Sequence, residues 1–286
     1  MTAPTVGGDA FKAFEAARWE ATAAGYDDFF GHIAPRVVER LLDAAAVGPG
    51  QRVLDAACGP GYAAARAADR DACVVGLDVA EAMVTRARAR YPRVAFCRGD
   101  VEALPFPSGS FDAVIASFAL HHLGDPQRAV AEFARVLVAG GRLALTVWDR
   151  PGAHRLVGVL LDAITSAQVT APPDVPAGPD FFQFSGDDEL RSLLHGHGLG
   201  DIEVSTLSFA HRVSSSDELW QGLLNGTVRM SSVVSAQPDD VRHRIQAAFE
   251  SLLETHRAGA VLDVPVSVKL ARAQCLRSPP ALDEPR

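Results

Sequence analysis

Three aspartates hold equivalent places in this chain. Asp55, Asp78 and Asp100 each close a short apolar run, and a glycine turn, Gly59 and Gly61 in CGPG, lies between the first two. Glycines let a backbone turn tightly and come close to a ligand. With Ala64 the turn fits the dinucleotide pattern G-x-G-x-x-A, a weak signal that names no ligand. The carboxylates narrow the choice. Asp55 stands four residues before Gly59, where it would repel a pyrophosphate seated in the turn and favour a cationic nucleoside without phosphate. Asp78, 17 residues beyond Gly61, is placed to accept both hydroxyls of a ribose. Asp100 is placed to accept an adenine amino group while the N–H of Val101 donates to the ring. One Asp at a strand end is ordinary turn chemistry; three in succession around a glycine turn are not. S-adenosylmethionine, with a positive α-ammonium and sulfonium, suits this charge pattern, and NAD does not.

A second group could move a proton. His121 and His122 follow the fourth apolar run and Asp149 ends the fifth. An imidazole titrating near neutral pH can take the proton of a hydroxyl, and Asp149, on the same edge of the sheet, could orient one of the two rings. The competing reading makes His122 a structural residue that bonds its own loop. His32, His154 and His211 are weaker candidates, expected at the surface.

These residues need elements to position them. Strand patterns at 51–57, 72–78, 93–100, 110–117 and 142–149 alternate with helical patterns at 62–68, 80–91 and from Asp125-Pro126 to about Val138, which Gly140-Gly141 would end. Buried apolar strands separated by helices mean βαβ units, hence a parallel sheet covered on both faces. Helical patterns at 9–30 and 35–46 precede this core. After Asp149 the rhythm changes: a helix at 151–170, a Pro-rich loop at 171–180, a helix at 186–197, a strand at 201–213, helices at about 215–224 and 238–257, and a last strand at 261–273. The expected organisation is an N-terminal helical lid (1–48), a donor-binding core (49–150), the last strands with a helical substrate cap (151–273) and a disordered tail (274–286). Residues 1–8 are also expected to be disordered.

Of 286 residues, 48% are apolar and 22% charged, as in a soluble globular enzyme. The net charge of −8 disfavours nucleic acid or an anionic membrane as the main partner. No apolar run nears the roughly 18 residues of a span. Cys58, Cys73, Cys97 and Cys275 form no CxxC pair and fit no zinc spacing; they are expected to be reduced thiols in a cytoplasmic protein, with no metal. Lysine occurs only at Lys12 and Lys269 among 27 basic residues, a skew expected of a GC-rich bacterial genome.

The segments VLDAACGPG, VVGLDVAEAMV, FCRGDVEALPFPSGSFDAVIASFALHHL and AVAEFARVLVAGGRLALTVWD resemble successive motifs of class I S-adenosylmethionine-dependent methyltransferases. The similar branch holds ubiquinone and menaquinone C-methyltransferases and many natural-product O-methyltransferases. The likeness covers about residues 50–150 and continues more weakly to the final strand. It implies an α/β fold, a doubly wound, mostly parallel seven-stranded Rossmann-like sheet with its last strand antiparallel. It implies donor contacts at Asp55, Ala56, Gly59, Gly61, Asp78, Val79, Met83, Asp100, Val101 and Ser117, with S-adenosylhomocysteine as product. Met83 would pack on the adenine, or else be a core residue. Tyr26 and the N-terminal helix would form a lid. Some sugar O-methyltransferases of the branch look similar in pairing His residues here with an Asp after the next strand.

No NPPY, DPPY or Pro-Cys nucleophile pair is present, which points to a small organic acceptor methylated on O, C or N. Its pocket should come from Phe14, Trp19, Tyr26, Phe29 and Phe30, the run Phe181-Phe182-Gln183-Phe184, and the cap around Trp220, Leu224 and Met230; plain core is the alternative for such stripes. A homodimer is the candidate assembly. Two rival functions share the fold pattern: an NAD(P)-dependent oxidoreductase, which has no use for Asp55, and a methyltransferase-fold protein doing other chemistry such as cyclisation.

Overall fold

The computed structural model describes residues 8–169, 172 and 175–276. Of the two expected disordered ends, only Gly8 and 274–276 are described; Gly8 opens a helix, and Gln274 and Cys275 complete the last strand. The rest of both ends lies outside the described residues.

Helices α1 (Gly8–Phe30) and α2 (Pro35–Ala44) precede the core. Then come β1 (Arg52–Ala56), α3 (Tyr62–Ala68), β2 (Cys73–Asp78), α4 (Glu81–Arg90), β3 (Ala95–Arg98), β4 (Phe111–Ser117), α5 (Pro126–Val136) and β5 (Leu137–Trp148). The remainder is α6 (Arg155–Ser166), α7 (Asp187–His195), β6 (Leu199–Val213), α8 (Ser216–Gly226), α9 (Arg229–Ser235), α10 (Asp239–Leu253), β7 (Arg257–Ala258) and β8 (Val261–Cys275).

The sheet order is β3-β2-β1-β4-β5-β8-β6, and the two-residue β7 pairs with β8 beside this path. Strands β1 to β5 pair in parallel, and β8 runs antiparallel to both β5 and β6. This is the doubly wound α/β sheet expected, with its last strand antiparallel. The strands are apolar on both faces because helices cover both. In β4, Val114 and Ala116 join the core under α5 and α7, while Ala113 and Ile115 join the one under α2, α3 and α4, the period-2 alternation of a strand. Phe133 of α5, Leu143 and Leu145 of β5 and Leu41 of α2 are fully buried.

Two elements differ from expectation. Helix α5 stops at Val136, and β5 begins at once. Gly140 and Gly141 lie inside β5, where the register slips between Phe111 and Ala113 of β4 and Gly140 has φ of 76°. The glycines absorb a bulge and do not end a helix. Helix α9, absent from the sequence pattern, follows α8 after two residues.

The chain reverses direction across the sheet between β1 and β4. In such folds ligands bind at the carboxyl ends of the strands beside that switch. Helix α1 lies over this edge. Asp27 ties it to α4 through Arg90, whose Nη1 and Nη2 donate at 2.8 and 2.6 Å, and to α3 through the Tyr62 hydroxyl. Gly25 lets α1 meet α8: a Cβ there would fall 2.2 Å from the Asn225 carbonyl oxygen. Among the described residues no helix is long and apolar enough to cross a membrane.

Candidate functional site

One cleft of about 1100 Å³, counting its open mouth, runs under α1 along the carboxyl edge of the sheet. Its wall includes Gly59, Asp78, Val79, Met83, Asp100, Val101 and Ser117, and on α1 Lys12, Glu15, Trp19 and Tyr26. The α1 residues are spaced three, four and seven apart, so they share one helix face. The strand ends that reach the cleft carry unusual backbone. Ala57 after β1 and Phe118 after β4 have φ of 56° and 55°, and Gly59 has 52°. The two non-glycine residues hold a conformation that is uncommon for side chains with a Cβ and clusters at functional sites.

Asp78 lies at the centre of one half of the cleft. Its Oδ2 accepts the Gly59 N–H at 2.8 Å, and its Oδ1 accepts the Ala80 N–H at 3.0 Å. Burial pushes its carboxyl above the usual range, opposed by the N–H groups of Ala80, Gly59 and Val79. Asp100 lies two residues beyond β3, not at its end; its Oδ1 accepts the Glu102 N–H at 2.9 Å, and its Oδ2 pairs with Lys12 of α1. Lys12 also donates to Glu102 at 2.9 Å. Ser117 shares a hydrogen bond of 3.2 Å with Thr146. Met83 is 3% exposed and packs with Ala23, Trp19 and Tyr26, so it is both a wall residue and a core residue beneath α1. A wall with Asp78, Asp100, Glu15 and Glu102 against Lys12 and Arg229 is net acidic and fits a cationic nucleoside.

Three expected donor residues lie outside the wall. Asp55 is buried, and its Oδ2 accepts the Ala64 N–H at 2.8 Å. It anchors the first turn of α3, where carboxylates are favoured. Burial pushes its carboxyl up to about 7, opposed by the Ala64 bond and reinforced by the charge of Asp78. Ala56 is buried in β1. Gly61 has φ of 88°, and a Cβ there would meet the Phe96 ring at 2.8 Å, so it is needed for packing behind the cleft.

The histidines sit on a 3-10 turn, Leu120–His122, just after β4. Both are on the wall, with ring centroids 4.2 Å apart. His121 is 4% exposed, and neither ring nitrogen has a hydrogen-bond partner. Burial, then the neighbouring His122 and Arg229, hold it well below the usual imidazole range, so it is neutral. His122 Nδ1 lies 2.9 Å from Glu15 Oε2, and the Trp19 ring stands edge-on 4.8 Å away.

Asp149 does not orient either ring. Its Oδ2 accepts from Ser267 at 2.8 Å, its Oδ1 accepts the Arg150 N–H at 2.8 Å, and it is absent from the wall. Its pairing with β8 turns it away, and the carboxylate beside His122 comes from α1 instead. His154, expected at the surface, is fully buried. It stacks on Trp148 at 4.2 Å, and Trp148 stacks on Phe118 at 3.8 Å. Burial holds the His154 imidazole down to about 3. His32 is exposed and His211 half-buried.

Another part of the wall is apolar: Phe30, Phe118, Trp148, Val157, Phe181 and Met230. Of the expected pocket aromatics, Phe29 and Trp220 are buried in the helical core, outside the wall. Sequence reasoning missed Glu15 and Arg229. Arg229 donates to the carbonyls of His121 at 2.7 Å and Pro179 at 2.8 Å, and its Nε lies 3.7 Å from Glu15. Among the described residues no cluster of three or more His, Cys, Asp or Glu could hold a metal.

A sequence profile described as a methyltransferase domain matches residues 54–145. The demethylmenaquinone methyltransferase of Renibacterium salmoninarum is 39% identical over 182 residues, 59% of this chain and 74% of that protein. A probable S-adenosylmethionine-dependent methyltransferase of Mycobacterium tuberculosis is 30% identical over 225 residues, 76% of this chain and 74% of that protein. Phosphoethanolamine N-methyltransferase 2 of Haemonchus contortus, solved with phosphomonomethylethanolamine and S-adenosylhomocysteine, superposes with a TM-score of 0.58 at 18% identity, over 93% of this chain and 60% of that one. That last likeness is one of fold. Profile, relatives and the acidic cleft at the sheet's carboxyl edge agree, and this chain belongs to the S-adenosylmethionine-dependent methyltransferases.

Proposed function

We propose that this enzyme methylates a hydroxyl oxygen of a small, largely apolar organic molecule, as in natural-product O-methylation. The observation that carries the reading is His122: a ring with one nitrogen tied to a buried carboxylate, on the wall of the cleft that also holds Asp78 and Asp100. When bound, S-adenosylmethionine supplies an activated methyl carbon. The protein's part is alignment, exclusion of water and removal of one proton.

Asp78 would take the ribose hydroxyls, Asp100 and the Val101 N–H the adenine edge, with Gly59 letting the donor approach the backbone. Met83, Val79, Val101 and Tyr26 enclose it. Phe118, Trp148, Phe181 and Met230 would hold an apolar ring or chain of the acceptor. His122 would take the hydroxyl proton, and the buried, neutral His121 would pack beneath it. Residues 1–48 would supply the lid and 151–273 the acceptor cap.

A second reading has one observation in its favour. The named relatives include demethylmenaquinone methyltransferases, so a quinone-type acceptor methylated at ring carbon is the alternative to oxygen. Incubation with methyl-labelled donor and a panel of phenols, sugars and reduced quinones, followed by mass spectrometry of the product, tests both. Label on oxygen supports the first reading; label on ring carbon replaces it with the second. Donor binding without transfer to any acceptor would remove both.

A further inference from the structure

Glu15 is a buried acid on a helix that otherwise looks like a cover. It is 3% exposed, and its Oε2 is shared by the Trp19 indole N–H at 3.1 Å and His122 Nδ1 at 2.9 Å. An indole N–H only donates, so Oε2 is an acceptor. A ring nitrogen that donates to that oxygen leaves the Nε2 lone pair of a neutral His122 free. The titratable groups around His122 are Glu15 of α1, His121 on its own turn and Asp78 of β2 at longer range, with Arg229 of α9 beside Glu15. Arg229 does not displace the histidine. Its guanidinium donates to two backbone carbonyls, and its Nε stays 3.7 Å from Glu15. Glu15 Oε1 has no hydrogen-bond partner, only the Arg229 guanidinium at 3.7 Å, so among the described residues Trp19 and His122 make this carboxylate's hydrogen bonds.

We propose that Glu15 is a positioning residue for methyl transfer: it holds His122 as the Nδ1–H tautomer, with Nε2 free as the base, and does so only while α1 covers the cleft. Glu15 and Lys12 lie one turn apart on the same face of α1, and Lys12 pairs with Asp100 at the adenine end. The same helix face that closes on the donor therefore completes the base. The proposal rests on His122 being that base.

The first test needs no acceptor. In uniformly ¹⁵N-labelled protein at pH 8, ring nitrogen shifts of His122, assigned through His122→Gln, identify the tautomer. The expected result is Nδ1–H in the parent protein and a shift toward Nε2–H, the form free imidazole prefers in water, in Glu15→Ala. An Nε2–H ring in the parent, or no change in the variant, would overturn the positioning role. The second test uses any hydroxyl acceptor that the panel yields. At saturating donor, Glu15→Ala should lower kcat tenfold or more, and should add nothing in a His122→Gln background. If Glu15→Ala fails to bind S-adenosylhomocysteine, Glu15→Gln, of equal size, takes its place in this cycle. Additive losses would overturn the proposal. Unchanged turnover in His122→Gln, with the tautomer result intact, would instead remove the base reading beneath it.

Discussion

The Asp78 carboxylate receives the Gly59 N–H at 2.8 Å, across the crevice between β1 and β2. The glycine turn and the carboxylate proposed for the ribose are thus one unit, each holding the other in place. Removing the acid should both delete a charged acceptor and slacken the turn. Asp78→Ala is expected to weaken S-adenosylhomocysteine binding by about 1.5–3 kcal/mol, the scale of hydrogen bonds to a charged group. Titration calorimetry measures this directly, and an affinity equal to the parent's would contradict the assignment.

His122→Gln separates chemistry from binding. If the ring is the base, turnover on a hydroxyl acceptor should fall ~10²–10⁴-fold, while S-adenosylhomocysteine affinity falls far less. Equal losses in kcat and donor affinity would point to a collapsed loop. His121→Phe should raise the acceptor KM more than it lowers kcat, because that ring is neutral and buried and has no carboxylate partner.

Asp55 makes stability depend on pH. Its folded carboxyl is pushed up to about 7 by burial, against about 3.9 in an unfolded chain. Between those values the folded state keeps a proton that the unfolded chain has released. The contribution of Asp55 is therefore fully present below about pH 4 and is lost as pH rises to 7. Asp55→Asn keeps an acceptor for the Ala64 N–H and has no proton to lose. Relative to the parent, the variant should gain on the order of 1 kcal/mol or more between pH 4 and pH 8. Urea unfolding at several pH values tests this; parallel curves would sink it.

His154 has the opposite sign. Its folded imidazole is held down to about 3 by burial, against about 6.5 when unfolded. Its contribution is present above about pH 6.5 and is lost as pH falls toward 3. His154→Phe keeps the stack on Trp148 and removes two buried nitrogens without partners. The variant should melt several degrees above the parent at pH 5, for about 2 kcal/mol gained, with a smaller difference at pH 8. A lower melting temperature at pH 5 would show that the ring nitrogens are satisfied after all.

Much of this molecule was legible in one dimension. The strand patterns around Asp55, Asp78 and Ser117, the helices between them and the glycine turn were set by periods of 2 and 3.6 and by residues with unusual backbone freedom, all of them local properties. The ligand's charge was read chiefly from Asp55, which instead anchors α3; the aspartates that line the cleft are Asp78 and Asp100. What the sequence could not decide was where a side chain points and what it meets. Asp55 and Asp78 look alike in the string; one anchors α3 at Ala64 N–H and the other faces the cleft. Asp149 looked like the partner of a histidine, yet it bonds Ser267, 118 residues away, and the acid that reaches His122 lies 107 residues before it on α1. Such pairs exist only once the sheet order and the crossing of α1 over its edge are set. Packing brings together groups that have no spacing rule between them, and burial then decides which of them stay charged.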